Sequence, residues 1–176
     1  KLINKDRALT RIPAQQLEAL LHRTMDESKI KNYKQLAKGI PASPGAASGI
    51  VVFDVKKAIE LGDAGNKVIL VRKETKPEDV PAFFSSEGIL TSLGGKSSHA
   101  AIVSRGMGKP CIVGCPELKI NYDNNTCTAN GITIKEGETI TIDGSAGTVY
   151  IGDIPTVEPK VTKDFEQILD WAQKTK

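Results

Sequence analysis

The chain has no apolar run approaching about 18 residues, the length a membrane-spanning helix needs, so nothing in it reads as a transmembrane segment. Aromatic residues make up only 5% of the 176. That scarcity argues against a surface built to stack nucleic-acid bases. Cysteine is limited to Cys111, Cys115 and Cys127, an odd number at no recognised zinc spacing, so no metal site is expected. Cys111 and Cys115 bound the apolar run Cys-Ile-Val-Gly-Cys and read as small buried hydrophobes in a reduced, cytoplasmic compartment. The Asn124-Asn125-Thr126 sequon then reads as chance. No signal peptide is expected from the opening residues: Lys1 begins a polar segment, and the missing Met suggests a trimmed or excised piece. Neither a P-loop nor a G-x-S-x-G nucleophile elbow is present.

What is there begins with charge. The net +3 is unevenly spread. Residues 1–38 carry nine Lys/Arg against four Asp/Glu, residues 39–154 carry eleven against thirteen, and residues 155–176 carry four of each. The basic excess lies on a flank and the middle is mildly acidic, a poor fit to a nucleic-acid patch.

Patterning divides the chain into three. Residues 1–37 read as a helical connector, with Leu17, Leu20 and Leu21 at i, i+3, i+4 and a further turn at Ile30-Tyr33-Leu36. Pro41-Ala42-Ser43-Pro44-Gly45 reads as a boundary of turn formers. Residues 38–154 then alternate. Strands are expected at Ala47–Phe53, Lys67–Val71, Gly88–Thr91, Cys111–Val113 and Thr148–Ile151, with helices at Asp54–Leu61, Pro77–Phe84 and His99–Gly106. Turn signals at Asp123-Asn124-Asn125, Asn130-Gly131 and Glu136-Gly137 break residues 118–142 into short hairpin strands. Residues 155–176 read as a Pro-containing linker followed by an amphipathic helix through Phe165, Ile168, Leu169 and Trp171. The middle is a β-rich α/β domain between two connectors.

The most informative run is Gly-Gly-Lys-Ser-Ser-His-Ala-Ala-Ile-Val at residues 94–103. It sets His99 where a glycine loop enters a helix. Amides at such a junction have no intrahelical partners and favour negative charge beside them. The same field disfavours a second positive charge, which suits a neutral, nucleophilic imidazole. Gly94 and Gly95 let the loop turn tightly, and Ser97 and Ser98 supply hydroxyls or a cap. Lys96 adds a cation, and the small Ala100 and Ala101 suggest an open face around the ring. The alternative is a capped helix that happens to begin with histidine. As a functional site, the run reads as a phosphoryl carrier with His99 as its nucleophile and Gly95, Lys96, Ser98 and Ala100 around the phosphate.

Residues 94–108, Gly-Gly-Lys-Ser-Ser-His-Ala-Ala-Ile-Val-Ser-Arg-Gly-Met-Gly, resemble the phosphohistidine motif of the phosphoenolpyruvate-utilising enzymes. Residues 42–49, Ala-Ser-Pro-Gly-Ala-Ala-Ser-Gly, resemble the entry to that family's swivelling domain, and residues 143–147, Asp-Gly-Ser-Ala-Gly, its exit. Gly106-Met107-Gly108, Cys111–Cys115 and the flank Gln16–His22 resemble the family's dikinase branch. The resemblance implies a β/β/α sandwich-like phosphohistidine domain with helical flanking linkers. It implies that ATP, on a separate ATP-grasp domain, gives a pyrophosphoryl group to His99, and that inorganic phosphate takes the terminal phosphoryl. The domain then swivels to a barrel domain that uses magnesium and interconverts pyruvate and phosphoenolpyruvate. Magnesium would belong to those other domains, and the full-length enzyme would be a homodimer. Two departures stand out. Ser97 replaces the threonine that a regulatory kinase addresses in dikinases, and Lys96 leans toward the synthase and enzyme I branches, which keeps the equivalent domain of the synthase as the alternative, beside a non-catalytic module of the same fold.

Other residues read as structural. His22 lies on the helical flank, Asp143 shapes a turn, and Trp171 packs the exit helix. Arg105 lies about 600° of helix rotation beyond His99 and suggests a structural ion pair rather than a phosphate contact.

Overall fold

The computed structural model describes residues 7, 10, 11, 13, 21–159 and 163–174. The chain divides into two compact units, Arg23–Val157 and a second formed by Lys1–His22 with Glu158–Lys176. Leu17 and Leu20 of the expected stripe lie outside the described residues. In the second unit, helix Lys163–Lys174 buries Phe165 and carries a Lys174–Asp170 ion pair of 2.8 Å at i, i+4 spacing. No helix among the described residues is long and apolar enough to cross a membrane.

The unit Arg23–Val157 is organised by alternation along its central strands. β1 (Thr24–Met25), α1 (Glu27–Ile30), β2 (Gln35–Lys38) and β3 (Ile40–Ser43) lead into β4 (Ala46–Val52). Helices α2 (Val55–Asp63), α3 (Val80–Ser85) and α4 (His99–Met107) then link β4 to β5 (Val68–Arg72), β6 (Gly88–Thr91) and β7 (Cys111–Val113). These four strands pair in parallel, as connections through helices require. β8 (Lys119–Asn121), β9 (Thr126–Ala129) and β10 (Ile132–Lys135) form a three-stranded antiparallel sheet. β11 (Thr139–Asp143) and β12 (Thr148–Ile151) return to the main sheet, whose order is β2-β12-β11-β4-β5-β6-β7-β3. β13 (Thr156–Val157) pairs with β1.

The central strands are buried on both faces, so they read as apolar runs rather than as a half-wet alternation. Val51, Ile69, Val71, Leu90 and Ile112 pack with Ile120, Cys127, Ala129 and Ile134 of the small sheet. Their neighbours Val52, Val68, Leu70, Ile89, Cys111 and Val113 pack with Ala58, Ala82, Phe83, Ala100 and Ala101 of the helices. The result is three layers, β/β/α, with the main sheet in the middle. Successive side chains of one strand feed opposite cores. The expected mixed, strand-rich α/β class holds, and each expected central strand and helix lies within a few residues of its observed span.

Three differences concern the flanks. Of residues 24–37, expected to be helical, only Glu27–Ile30 is α-helix, and Gln35–Lys38 is an edge strand paired with β12. Burial of both Leu36 and Ala37 in the sheet outweighs the helical spacing of Ile30, Tyr33 and Leu36. The compact unit therefore begins at Arg23 rather than at residue 38. The expected turn at Pro41–Gly45 includes strand β3 at the other edge, where a register shift between Pro41 and Ser43 accommodates the proline. Within the expected linker after residue 154, Thr156–Val157 are paired with β1.

The three cysteines are free and buried. Burial pushes the thiols of Cys111 and Cys115 up to about 11 and that of Cys127 to about 12. They are inert packing groups, as expected for Cys111 and Cys115.

Candidate functional site

The loop that follows β6 is pinned before it turns. Ser92 N donates to Arg72 O at 3.2 Å and Leu93 N to Lys73 O at 2.9 Å, tying it to the exit of β5. Gly114 N and Thr91 Oγ1 both donate to Leu93 O. Gly94 has φ +100, and a Cβ there would press within 3.0 Å of Ser98 Cβ and Oγ. A glycine is required at that point. Ser98 N then closes the turn on Gly95 O at 3.0 Å, and Ser98 Oγ caps α4 by accepting from Ala101 N at 3.5 Å. His99 is the first helical residue. The amides of His99 and Ala100 lie in the first turn, where no intrahelical carbonyl reaches them.

The imidazole is half-buried and held on two sides. Its Nδ1 is 3.0 Å from Thr75 Oγ1, in the loop after β5. Phe83 of α3 meets the ring edge-on, with centroids 6.0 Å apart and planes at 70°. Nε2 makes no hydrogen bond among the described residues. Of the two ring nitrogens, Nδ1 is the one that is held.

The residues expected around a phosphate fall into two groups. Gly95, Lys96 and Ser98 share the loop with His99; Lys96 is exposed, and a Cβ on Gly95 would meet nothing within 4 Å. Ser97 is exposed two residues before the imidazole. Ala100 offers its backbone only. The expected open face at Ala100 and Ala101 is corrected: their exposures are 3% and 0%, and both methyls pack into the helix-side core. Their small size serves close approach of helix to sheet. The exposed large apolar side chains of this loop and of α4 are Leu93 and Ile102; Phe84, beside Phe83 in α3, is exposed as well.

The ion pair suggested for Arg105 is replaced by a carbonyl clamp. Arg105 Nη1 donates to Ala42 O at 3.1 Å and Nη2 to Lys96 O at 2.6 Å, so the guanidinium ties the histidine loop to β3. Rotation about the helix axis puts residue 105 on another face, but the long side chain reaches back to the loop. Asp143 shapes its turn as expected, accepting from Ser145 N and Ala146 N at 2.9 and 3.2 Å. His22, in the other unit, is half-buried. Thr75 and Phe83 escaped the sequence argument. They lie 24 and 16 residues before His99 in separate elements, and no local pattern joins them to it.

The chain is similar to several known proteins. Residues 64–147 match the family described as PEP-utilising enzyme, mobile domain. Over 99% of its length the chain is 48% identical to pyruvate, phosphate dikinase of Entamoeba histolytica, 47% to that of Rickettsia felis and 43% to that of Rhizobium meliloti. The chain spans about a fifth of the length of these relatives. Among solved structures, an NMR structure of Enzyme I aligns with 65% of this chain and 40% of its own, at 21% identity and a TM-score of 0.37.

Proposed function

We propose, on the premise that this chain is a relative of pyruvate, phosphate dikinase carrying the mobile domain of the PEP-utilising enzymes, that it is a phosphoryl-carrier domain with His99 as the carrier. The observation that supports this most is the asymmetry of the imidazole at the first position of α4: Nδ1 is tied to Thr75, and Nε2 has no hydrogen-bond partner among the described residues. When Nδ1–H donates to Thr75 Oγ1, Nε2 keeps the lone pair. That lone pair attacks the β-phosphorus of ATP on a companion ATP-grasp domain, and AMP leaves. Inorganic phosphate takes the terminal phosphoryl as pyrophosphate, leaving phosphohistidine. The enolate oxygen of pyruvate, on a companion barrel domain, then takes the phosphoryl group and forms phosphoenolpyruvate, and Nε2 regains its lone pair.

The amides of His99 and Ala100, the Ser98 hydroxyl and the loop at Gly95 and Lys96 cradle the phosphoryl group. The cradle is open enough to let it go. Magnesium, when bound, neutralises phosphate charge in the companion sites. Among the described residues of this chain no group of three His, Cys, Asp or Glu converges to hold a metal, and no step here uses one.

The relatives at 43–48% identity are dikinases, which favours that branch over the synthase despite Lys96. The same reading assigns the segments outside Arg23–Val157 as connectors to companion domains, the enzyme to the cytoplasm and the full-length assembly to a homodimer. It makes the exposed Ser97 hydroxyl the target of a regulatory kinase, since a dianion there repels an incoming phosphate. The same reading places the nucleotide and pyruvate sites on the companion domains, so the chain by itself is expected not to turn over.

The test mixes the chain with the phosphoenolpyruvate-binding part of a dikinase relative and phosphorus-labelled phosphoenolpyruvate. Acid-labile, alkali-stable label is expected on the chain and none on His99→Ala. Label that persists in that variant rejects the assignment.

A further inference from the structure

A carrier must be found by the sites that load and unload it. Resting on the phosphoryl-carrier reading, we propose that Leu93 and Ile102, with Lys96 between them in sequence, form a docking rim for a companion domain whose contact surface has an apolar centre and an acidic edge.

Leu93 is 55% and Ile102 54% exposed, although both side chains belong to residue types that ordinarily bury. Neither is exposed through fraying. The Leu93 backbone is held at both ends, by Lys73 O at its N–H and by Thr91 Oγ1 and Gly114 N at its carbonyl. Ile102 N donates to Ser98 O at 3.0 Å inside α4, and Ile102 follows His99 by three residues, which puts it on the adjoining part of the helix surface. One apolar side chain therefore enters the loop that carries the imidazole and the other leaves it.

Charge specifies the occupant. From Gly88 to Pro116 the chain has Lys96, Arg105 and Lys109 and no Asp or Glu. The guanidinium of Arg105 is spent on two carbonyls rather than on a carboxylate. The neighbouring cleft over Tyr122, by contrast, is lined by three cations and three carboxylates, and so selects neither sign. A second copy of this chain would set like charge against like charge across a two-fold contact. Aliphatic Leu93 and Ile102 offer nothing for nucleic-acid bases to stack on. The relatives are about five times longer than this chain, so companion domains are at hand in such polypeptides. An apolar patch beside an exposed cation on such a carrier fits a domain surface that buries the two side chains and faces Lys96 with a carboxylate.

The experiment varies the concentration of the chain as the phosphoryl acceptor from labelled phosphoenolpyruvate, catalysed by the phosphoenolpyruvate-binding part of a dikinase relative. A parallel arm phosphorylates His99 chemically with phosphoramidate, which needs no docking. The double variant Leu93→Ser/Ile102→Ser is expected to raise KM for the chain about tenfold or more, with a smaller change in kcat. Its labelling by phosphoramidate should match wild type. An unchanged KM overturns the rim, and so does a matching loss of phosphoramidate labelling, which would mean that the two side chains shape the loop instead. Self-association of the wild-type chain that disappears in the double variant assigns the patch to a second copy and also overturns the proposal. Wild-type chain that takes label from phosphoramidate but none from phosphoenolpyruvate sinks the carrier reading, and the rim with it.

Discussion

The turn at Asp143–Gly147 and the loop at Gly94–His99 are both built largely from glycine and serine, and each follows a strand of the same sheet. Their hydrogen bonding differs. In the turn, the N–H groups of Ser145 and Ala146 go to the Asp143 carboxylate, Gly147 N goes to Asp143 O, and Gly144 N goes to Gly45 O. The Ser145 hydroxyl is used as well, accepting from Gly45 N at 3.0 Å. In the loop, Ser98 serves itself and Ala101, while His99 and Ala100 begin a helix whose first-turn amides have no carbonyl below them. A turn that satisfies its own donors is structural, and a loop that keeps donors in reserve is suited to an anion. The composition of the two segments would not have separated them.

The sharpest way to break that comparison is a methyl group in each segment. A Cβ at Gly144 would collide with the Ser43 carbonyl oxygen and sit 3.0 Å from Cys111 N, so Gly144→Ala is expected to cost about 3 kcal/mol. A Cβ at Gly95 meets nothing, and Gly95→Ala should stay within about 0.5 kcal/mol of wild type. Denaturant midpoints for the two variants measure both, and equal losses would erase the distinction. Next in size is the hydrogen bond that orients the ring. Thr75→Val keeps the side chain's shape and removes its hydroxyl, and should slow labelling of His99 from phosphoenolpyruvate about tenfold. An unchanged rate would mean that the Thr75 contact does not select Nε2. The smallest effect belongs to the self-satisfied turn. Asp143→Ala should lower stability by about 1 kcal/mol in chemical denaturation and leave the labelling rate as it is. A loss of labelling there would join the turn to the site.

Much of the centre was legible because its signals are local. β6 and β7 announce themselves as short apolar runs, Asp54 before α2 supplies a cap to Lys57 N at 2.8 Å, and Ser98 does the same work for α4. The edges were not legible. Ile30, Tyr33 and Leu36 follow a helical spacing, and Pro41 argues against a strand. Pairing with β12 and β7 nonetheless draws residues 35–38 and 40–43 into the sheet. Such pairing unites residues from about 70 to about 115 positions apart, beyond the reach of periodicity or turn chemistry.

By itself, the sequence determined that a histidine would stand at the start of a helix, behind a glycine loop and a serine cap, because those choices depend on φ angles and hydrogen bonds within a few residues. Only the tertiary structure decided which imidazole nitrogen is free, by carrying Thr75 across from the neighbouring strand's exit to Nδ1. It likewise decided that Ala100 and Ala101 face the core and that Arg105 grips carbonyls. Those outcomes depend on how helices settle on a sheet, where close packing fixes what each side chain can touch.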